Sequence, residues 1–178
     1  MAHKLTTEEM HRMTVEEFRE SAKLPLTVVL DNVRSQNNIG SVFRTADAFR
    51  VEHIALCGIT ATPPHREIHK TALGAEDSVK WSYHEDTVEC VKGLKARGYK
   101  VFAVEIAHDS VMLDDLKAVA PDERIAIVLG NEIEGVQESV MELCDGALEI
   151  PQYGTKHSLN VSCAAAIVIW ELFKMMRL

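Results

Sequence analysis

Residues 150–166 read IPQYGTKHSLNVSCAAA, a polar loop that runs directly into a strongly apolar helix. The apolar run Ala147–Ile150 predicts a short strand that ends before Pro151. Residues Ser158–Met176 are predicted to form the helix, with Ser158 as its cap. Because this helix is apolar on almost every side, it should be buried on every side. In so short a chain, that predicts packing on its own sheet and on another subunit.

Upstream of this stretch, short apolar runs alternate with helical patterns. Five further runs predict buried strands, at residues 26–30, 53–57, 79–83, 101–104 and 125–129. Helices are predicted over Ile39–Phe49 and Thr87–Arg97, and a first helix is predicted to begin at Thr6-Thr7. Pro63-Pro64 predicts that Ile59–Gly74 is irregular. Apolar strands alternating with helices predict an α/β fold, a mostly parallel sheet with helices on both faces.

The composition is that of an ordinary globular chain, 47% hydrophobic and 26% charged. We expect a helical extension at residues 1–24 and one domain at residues 25–178. No apolar segment resembles a signal peptide, and the run Ala164–Trp170 is far shorter than the roughly 20 residues of a membrane span. A cytoplasmic protein without a membrane partner is therefore predicted. The cysteines lack zinc-site spacing, so free thiols and no metal are expected at Cys57, Cys90, Cys144 and Cys163.

The first of three polar loops reads DNVRSQNNIGSVFRTA over residues 31–46. Free backbone N–H groups at the start of the following helix favour an anion, and Gly40 permits close approach of another chain or a ligand. Asn37 and Asn38 could cap the helix, which places Arg44 about two turns along it. A capped helix with one surface arginine fits the same pattern, so the residues alone leave both interpretations open.

The second loop reads VLGNEIEGV over residues 128–136, directly after a predicted strand. Its glycine spacing is neither that of a P-loop nor that of a dinucleotide-binding fold. A nucleotide-like ligand over the strand end and an ordinary strand–turn–helix connection both fit it. The third loop is the stretch quoted first. There Asn160 and Ser162 either cap the helix or bind a ligand or a catalytic arginine.

Taken in order, the three loops resemble the motifs of the SpoU (TrmH-like) class of SPOUT RNA methyltransferases. That pattern reads N-x-G-x-x-x-R-x-A, then G-x-E-x-x-G, then I-P-x-x-G-x-x-x-S-L-N-V-S-x-A. The matching segments are Asn38–Ala46, Gly130–Gly135 and Ile150–Ala164. The resemblance spans Leu26–Phe173. It departs at Gln152, where many relatives have methionine.

The resemblance implies a sheet whose C-terminal part forms a deep trefoil knot, against the general rule for chain connections. It also implies a homodimer with active sites at the subunit interface. The cofactor is S-adenosylmethionine, held in the knot, and the reaction is methyl transfer to a ribose 2′-hydroxyl of tRNA or rRNA. The expected cofactor contacts are Leu129, Gly130, Ile150, Gln152 and Leu159.

The resemblance also assigns the catalytic residues, and the distribution of charge indicates the RNA contacts. Arg44 matches the catalytic arginine, and its polar surroundings would be Asn38, Glu132, Ser158 and Asn160. The net charge of −8 argues mildly against nucleic acid, but basic residues are concentrated locally. The expected RNA contacts are Arg34, Arg50, Arg66, Lys70 and Lys156.

Two roles for Arg44 follow from this resemblance. It could be desolvated and neutral, and act as the base, although a guanidinium normally stays protonated. Alternatively it stays charged, clamps an RNA phosphate and stabilises a developing alkoxide. We favour the charged clamp, with Glu132 as its ion-pair partner. Two rival functions are a non-catalytic RNA-binding or assembly protein on the same fold, and a nucleotide-dependent oxidoreductase, which would lack its usual glycine fingerprint.

Overall fold

A computed structural model of the chain describes residues 3–6, 8–117 and 119–176. Its centre is a sheet in which every neighbouring pair of strands is parallel. The seven strands are β1 (Leu24–Asp31), β2 (Val51–Cys57), β3 (Trp81–His84), β4 (Lys100–Val104), β5 (Val111–Met112), β6 (Ile125–Leu129) and β7 (Gly146–Glu149). Their order across the sheet is β3-β2-β1-β6-β4-β7-β5. The predicted α/β class is therefore confirmed.

Helices cover both faces of the sheet. They are α1 (Val15–Glu20), α2 (Gln36–Ala48), α3 (Arg66–Ala72), α4 (Ala75–Ser78), α5 (Thr87–Ala96), α6 (Glu138–Met141) and α7 (Val161–Met176), with a 3₁₀ turn at Leu113–Asp115. On one face, α2 and α7 pack on Leu26, Val28 and Leu30 of β1. On the other face, α5 and α6 pack on alternate residues of the same strands, Val29 among them. Both faces of the strands are buried, as their unbroken apolar sequences predict.

Two predictions about helices in the first half of the chain differ from the structure. Ile59–Gly74 is not irregular, because α3 begins just after Pro64, where His65 Nδ1 accepts the amide of Glu67 at 3.3 Å. The first helix begins at Val15 and not at Thr6, because Thr14 and Glu17 form its capping box. The predicted start at Thr7 lies outside the described residues.

Only one side of helix α7 is buried, although its sequence is apolar almost throughout. Val168, Ile169 and Leu172 are fully buried against the sheet and α2. On the other side Ile167 remains 40% exposed and Trp170 48% exposed. Burial on every side is therefore wrong for the single chain, because its own sheet and helices cover only one face of α7.

No helix among the described residues is long and apolar enough to cross a membrane.

Candidate functional site

The three polar loops meet at the carboxyl edge of the sheet. Strands β1, β6, β4 and β7 are neighbours there, so their following loops are brought together. These loops enclose a cavity of about 530 Å³. All five residues expected to contact a cofactor line it, namely Leu129, Gly130, Ile150, Gln152 and Leu159. Their role as cofactor contacts stays a prediction.

The loop after β6 owes its shape to its two glycines. Asn131 and Gly135 exchange backbone hydrogen bonds of 3.0 and 2.9 Å, which closes the loop into a small hairpin. A Cβ on Gly130 would lie 2.0 Å from the carbonyl carbon of Gly135, and Gly135 itself has a φ of +72°. Side chains at these two positions would therefore open the hairpin that forms the cavity wall.

Glu132 at the tip of this hairpin caps helix α2. Its carboxylate accepts the backbone amides of Arg34 and Ser35, both at 3.0 Å, and the side-chain amide of Asn38 at 3.1 Å. Partial burial opposes the charged form, but these hydrogen bonds outweigh it and hold the pKa of Glu132 below its ordinary value. The anion expected at this helix start is thus a carboxylate of the protein itself.

The expected ion pair between Glu132 and Arg44 is absent from the single chain. All hydrogen bonds to the Glu132 carboxylate come from Arg34, Ser35 and Asn38. Arg44 is exposed on α2 and has no hydrogen bond or ion pair with any of the residues that the structure describes. Within one chain, Glu132 bonds to the start of α2 because those donors are nearer than a side chain two turns along the helix.

Asn160 links the third loop to the first. Its Oδ1 accepts the amide and hydroxyl of Ser162, at 2.9 and 2.6 Å, so it caps α7. Its Nδ2 donates to Oδ1 of Asn38 at 3.1 Å. The predicted cap at Ser158 was therefore wrong, and Ser158 lines the cavity instead. Glu132, Asn38 and Asn160 form one chain of hydrogen bonds through all three loops.

Glu105 is a cavity residue that the sequence analysis missed. It follows β4, and its carboxylate accepts the amides of Val136 at 3.2 Å and Ile106 at 3.1 Å. It lines the same cavity as Glu132 and Glu134. The signal was present in the sequence, because a polar residue directly after a predicted strand belongs to the same edge of the sheet as the other loops.

Gly40 permits close packing between helices, which answers the question that its motif left open. A Cβ there would lie 2.1 Å from Oγ1 of Thr71 and 2.3 Å from the carbonyl oxygen of Ile68, both on α3. The close approach is therefore made by a neighbouring helix and not by a ligand.

The basic residues expected to contact RNA do not all lie at the same edge of the sheet. Arg34 follows the carboxyl end of β1, whereas the carbonyl of Arg50 bonds to Leu24 at the amino end of that strand. An eight-residue strand separates these ends by roughly 25 Å. Arg66 and Lys70 are exposed on α3, and Lys156 is exposed in the third loop. Arg50 is the member whose position fits a common RNA-binding surface least.

The cavity suits S-adenosylmethionine in shape and charge. Leu129, Leu148 and Val161 offer apolar wall for an adenine ring, and the loops offer backbone groups for its edge. Glu105, Glu132 and Glu134 favour a ligand that carries positive charge, as a sulfonium with an ammonium group does. Among the described residues, no group of three or more His, Cys, Asp or Glu side chains is placed to hold a metal ion.

The cap made by Glu132 predicts a pH-dependent effect on stability. A carboxylate whose pKa is lowered on folding stabilises the fold above its unfolded pKa, and this contribution is lost as pH falls through the folded pKa. We expect Glu132→Gln to melt a few degrees below the native chain at pH 7. The gap should close as pH falls below about 4. Thermal unfolding across this range measures it, and a gap that is independent of pH would contradict the prediction.

Comparison with known proteins extends this picture. The SpoU rRNA Methylase family profile matches residues 25–170. The chain is 34% identical over 163 residues to the tRNA (guanosine(18)-2′-O)-methyltransferase of Thermus thermophilus, which covers 92% of the chain and 81% of that enzyme. These matches fall on the segments that carry the three loops.

Solved structures with the same fold include two informative ones. The TrmH/SpoU tRNA modifying enzyme of Aquifex aeolicus superposes with a TM-score of 0.79 at 26% identity, covering 90% of this chain and 80% of that one. An AdoMet-bound rRNA methyltransferase from Sinorhizobium meliloti superposes with a TM-score of 0.77, also at 26% identity. The match covers 86% of this chain but only 60% of the Sinorhizobium chain, so that protein has additional parts.

Proposed function

Because this chain belongs to the SpoU rRNA methylase family, we propose that it transfers a methyl group from S-adenosylmethionine to a ribose 2′-hydroxyl of tRNA or rRNA. The main support for the proposal is the cavity at the carboxyl edge of the sheet. Residues of the second and third family motifs line it, and Asn38 of the first motif is hydrogen-bonded to both. Its relative from Thermus thermophilus acts on a ribose 2′-oxygen of tRNA, and the Sinorhizobium structure is that of an rRNA methyltransferase.

The main contribution of the chain's own residues is to position the cofactor and the RNA. The hairpin Gly130–Gly135, with Ile150 just after β7 and Leu159 just before α7, would hold the cofactor, which when bound supplies an electrophilic methyl group. The hydrogen bonds of Glu132, Asn38 and Asn160 keep the motif loops in one fixed arrangement. Holding the accepting oxygen and the methyl group in line contributes most to a displacement of this kind.

Arg44 acts in this proposal as a charged clamp. Its side chain is exposed in the single chain, where it is open to contact with RNA. A planar cation with five donors suits an RNA phosphate and the negative charge that develops on the ribose oxygen. The proton of the hydroxyl then leaves to solvent or to a phosphate oxygen while the guanidinium stabilises the oxygen.

A homodimer is part of the proposal. The free side of α7 presents Ile167 and Trp170. Trp170 stacks on Phe173 and contacts Phe49 at a tilt, and together they form a partly exposed apolar surface. Apolar surface of this kind is typical of subunit interfaces. Arg44 does not line the cofactor cavity of its own chain. A second subunit would bring an arginine from one chain to the cavity of the other.

Sedimentation tests the dimer. We expect a particle of twice the chain mass at micromolar concentration. Trp170→Glu places a charge in the proposed interface and should shift the mass toward the monomer and lower activity. Lys92→Glu, at an exposed position of α5 on the opposite face of the sheet, is the charge control and should keep the dimer. A stable, fully active monomer of the native chain would contradict both the dimer and the shared site.

The remaining expectations are kept as parts of this proposal. The chain would act in the cytoplasm, and residues 1–24 would form an extension to the methyltransferase domain at residues 25–178. Phe18 of α1 is buried in the main core, so part of that extension packs on the domain. The trefoil knot would involve the segment that leaves β7 and enters α7.

Methyl transfer with radiolabelled cofactor tests the function directly. Unmodified tRNA and rRNA transcripts are incubated with the native chain, digested to nucleosides and separated. We expect label in a 2′-O-methylated nucleoside from one of these RNA classes. RNA binding without any transfer would instead support the non-catalytic alternative, and mapping of lost 2′-O-methyl groups in a deletion strain would identify the natural site.

A further inference from the structure

A second cavity shares a wall with the cofactor cavity. It measures about 520 Å³ and lies between the loops that follow β1, β2 and β6. The hairpin after β6 separates the two cavities, because Asn131, Ile133, Glu134 and Gly135 line both. A ligand in the second cavity would therefore lie directly beside the cofactor.

The lining of this cavity combines exposed apolar side chains with a free cation. Ile59 is 65% exposed and Ile133 is 77% exposed, and both line the cavity. Arg34 lines it too, and its exposed guanidinium has no hydrogen bond or ion pair within the described part of the chain. Exposed isoleucines contribute little to the core, so their position here fits contact with a ligand.

Hydrogen bonds through Asn32 hold these isoleucines in place. Oδ1 of Asn32 accepts the amide of Ile59 at 3.1 Å, and its carbonyl oxygen accepts Nδ2 of Asn131 at 2.8 Å. Oδ1 of Asn131 in turn accepts the amide of Ile133 at 2.9 Å. The backbone that carries each exposed side chain is thus fixed before any ligand arrives, which lowers the entropic cost of binding.

A glycine and a threonine complete this rigid rim. A Cβ on Gly58 would lie 2.1 Å from Oδ1 of Asn32, so only glycine permits the contact. The buried hydroxyl of Thr60 accepts the amide of Val33 at 3.0 Å and donates to the carbonyl of Leu30 at 3.0 Å. The loops after β1 and β2 therefore form one unit.

We propose that the second cavity binds one unpaired nucleotide of the RNA substrate, with its base against Ile59 and Ile133 and its phosphate on Arg34. The inference rests on the proposed function, because RNA is the substrate there. A base offers a flat apolar face of the size that two isoleucines cover, and an adjacent phosphate matches a free guanidinium. The shared wall would place such a nucleotide beside the cofactor cavity.

Methyl NMR tests the cavity without relying on turnover. Isoleucine δ1-methyl signals are recorded for the native chain, and Ile59→Val identifies the Ile59 signal. A single-stranded RNA oligonucleotide of mixed sequence should shift this signal through the ring current of the base. S-adenosylmethionine alone should leave it in place, because Ile59 lines only the second cavity. If the Ile59 signal does not move when the chain is saturated with RNA, the inference is overturned. The exposed isoleucines would then be expected to contact a protein partner.

Kinetics give a second, independent test of nucleotide binding in the second cavity. Ile59→Ala should raise KM for the methyl-accepting RNA roughly fivefold, with kcat and the cofactor Kd unchanged. Val111→Ala truncates an exposed apolar residue on β5, at the other end of the sheet, and should change none of these values. If the native chain methylates RNA but Ile59→Ala keeps its KM, only the second cavity is refuted. If the native chain methylates no RNA, the proposed function fails, and the NMR shift still decides the cavity.

Discussion

Arg44→Ala is expected to lower turnover at least a hundredfold while the chain folds and binds S-adenosylmethionine nearly as before. The side chain is exposed and has no partner among the described residues, so its removal breaks no contact of the single chain. The cofactor cavity is lined by other loops. A hundredfold loss corresponds to about 2.7 kcal/mol of transition-state stabilisation. Thermal unfolding, cofactor titration and single-turnover methyl transfer measure the three quantities separately.

Two further variants make this test specific. Arg44→Lys should be nearly as inactive, because an ammonium cannot offer the planar pair of donors that a phosphate or alkoxide would receive. Arg97→Ala removes an exposed arginine at the end of α5, on the opposite face of the sheet, and should retain full activity. If Arg44→Lys restores most of the turnover, the clamp geometry is wrong and charge alone is sufficient.

Much of the fold and the position of the cavity could be predicted because both follow from strand polarity. Unbroken apolar runs such as Ile125–Leu129 fit only a strand buried on both faces, and parallel strands direct their following loops to one edge. The same reasoning predicts that the Gly130–Gly135 and Ile150–Asn160 segments belong to one site. Applied to β4 as well, it would have identified Glu105.

The partners inside the site could not be predicted, because they depend on distances between loops far apart in sequence. Glu132 and Arg34 are 98 residues apart in the chain, and Asn160 and Asn38 are 122 apart. Nothing local indicates that Glu132 bonds to the amides at the start of α2 and not to Arg44. Helix α3 was missed for a related reason, since Pro63-Pro64 resembles a helix breaker although it lies just outside the helix.

A substrate with a single deoxyribose at the target position is expected to accept no methyl group. Removing the 2′-hydroxyl removes the nucleophile itself, so the loss should be complete rather than partial. Binding should persist, because most of the affinity for RNA comes from phosphate contacts, and it should weaken steeply as salt is added. The variant RNA should therefore inhibit methylation of the unmodified RNA, with an inhibition constant close to the KM of the latter.

The matched control for this test is an RNA with its single deoxyribose one nucleotide away from the target, which should be methylated at nearly the normal rate. Both RNAs are incubated with radiolabelled cofactor and digested to nucleosides. A ribose acceptor is expected because the Thermus thermophilus relative, 34% identical to this chain, is a 2′-O-methyltransferase. Label recovered on a base of the deoxy-substituted RNA would overturn the assignment of the accepting atom. The cofactor cavity would then serve methyl transfer to a nitrogen or carbon atom of the base. No alkoxide forms on such an acceptor, so Arg44 would need a role other than stabilising one.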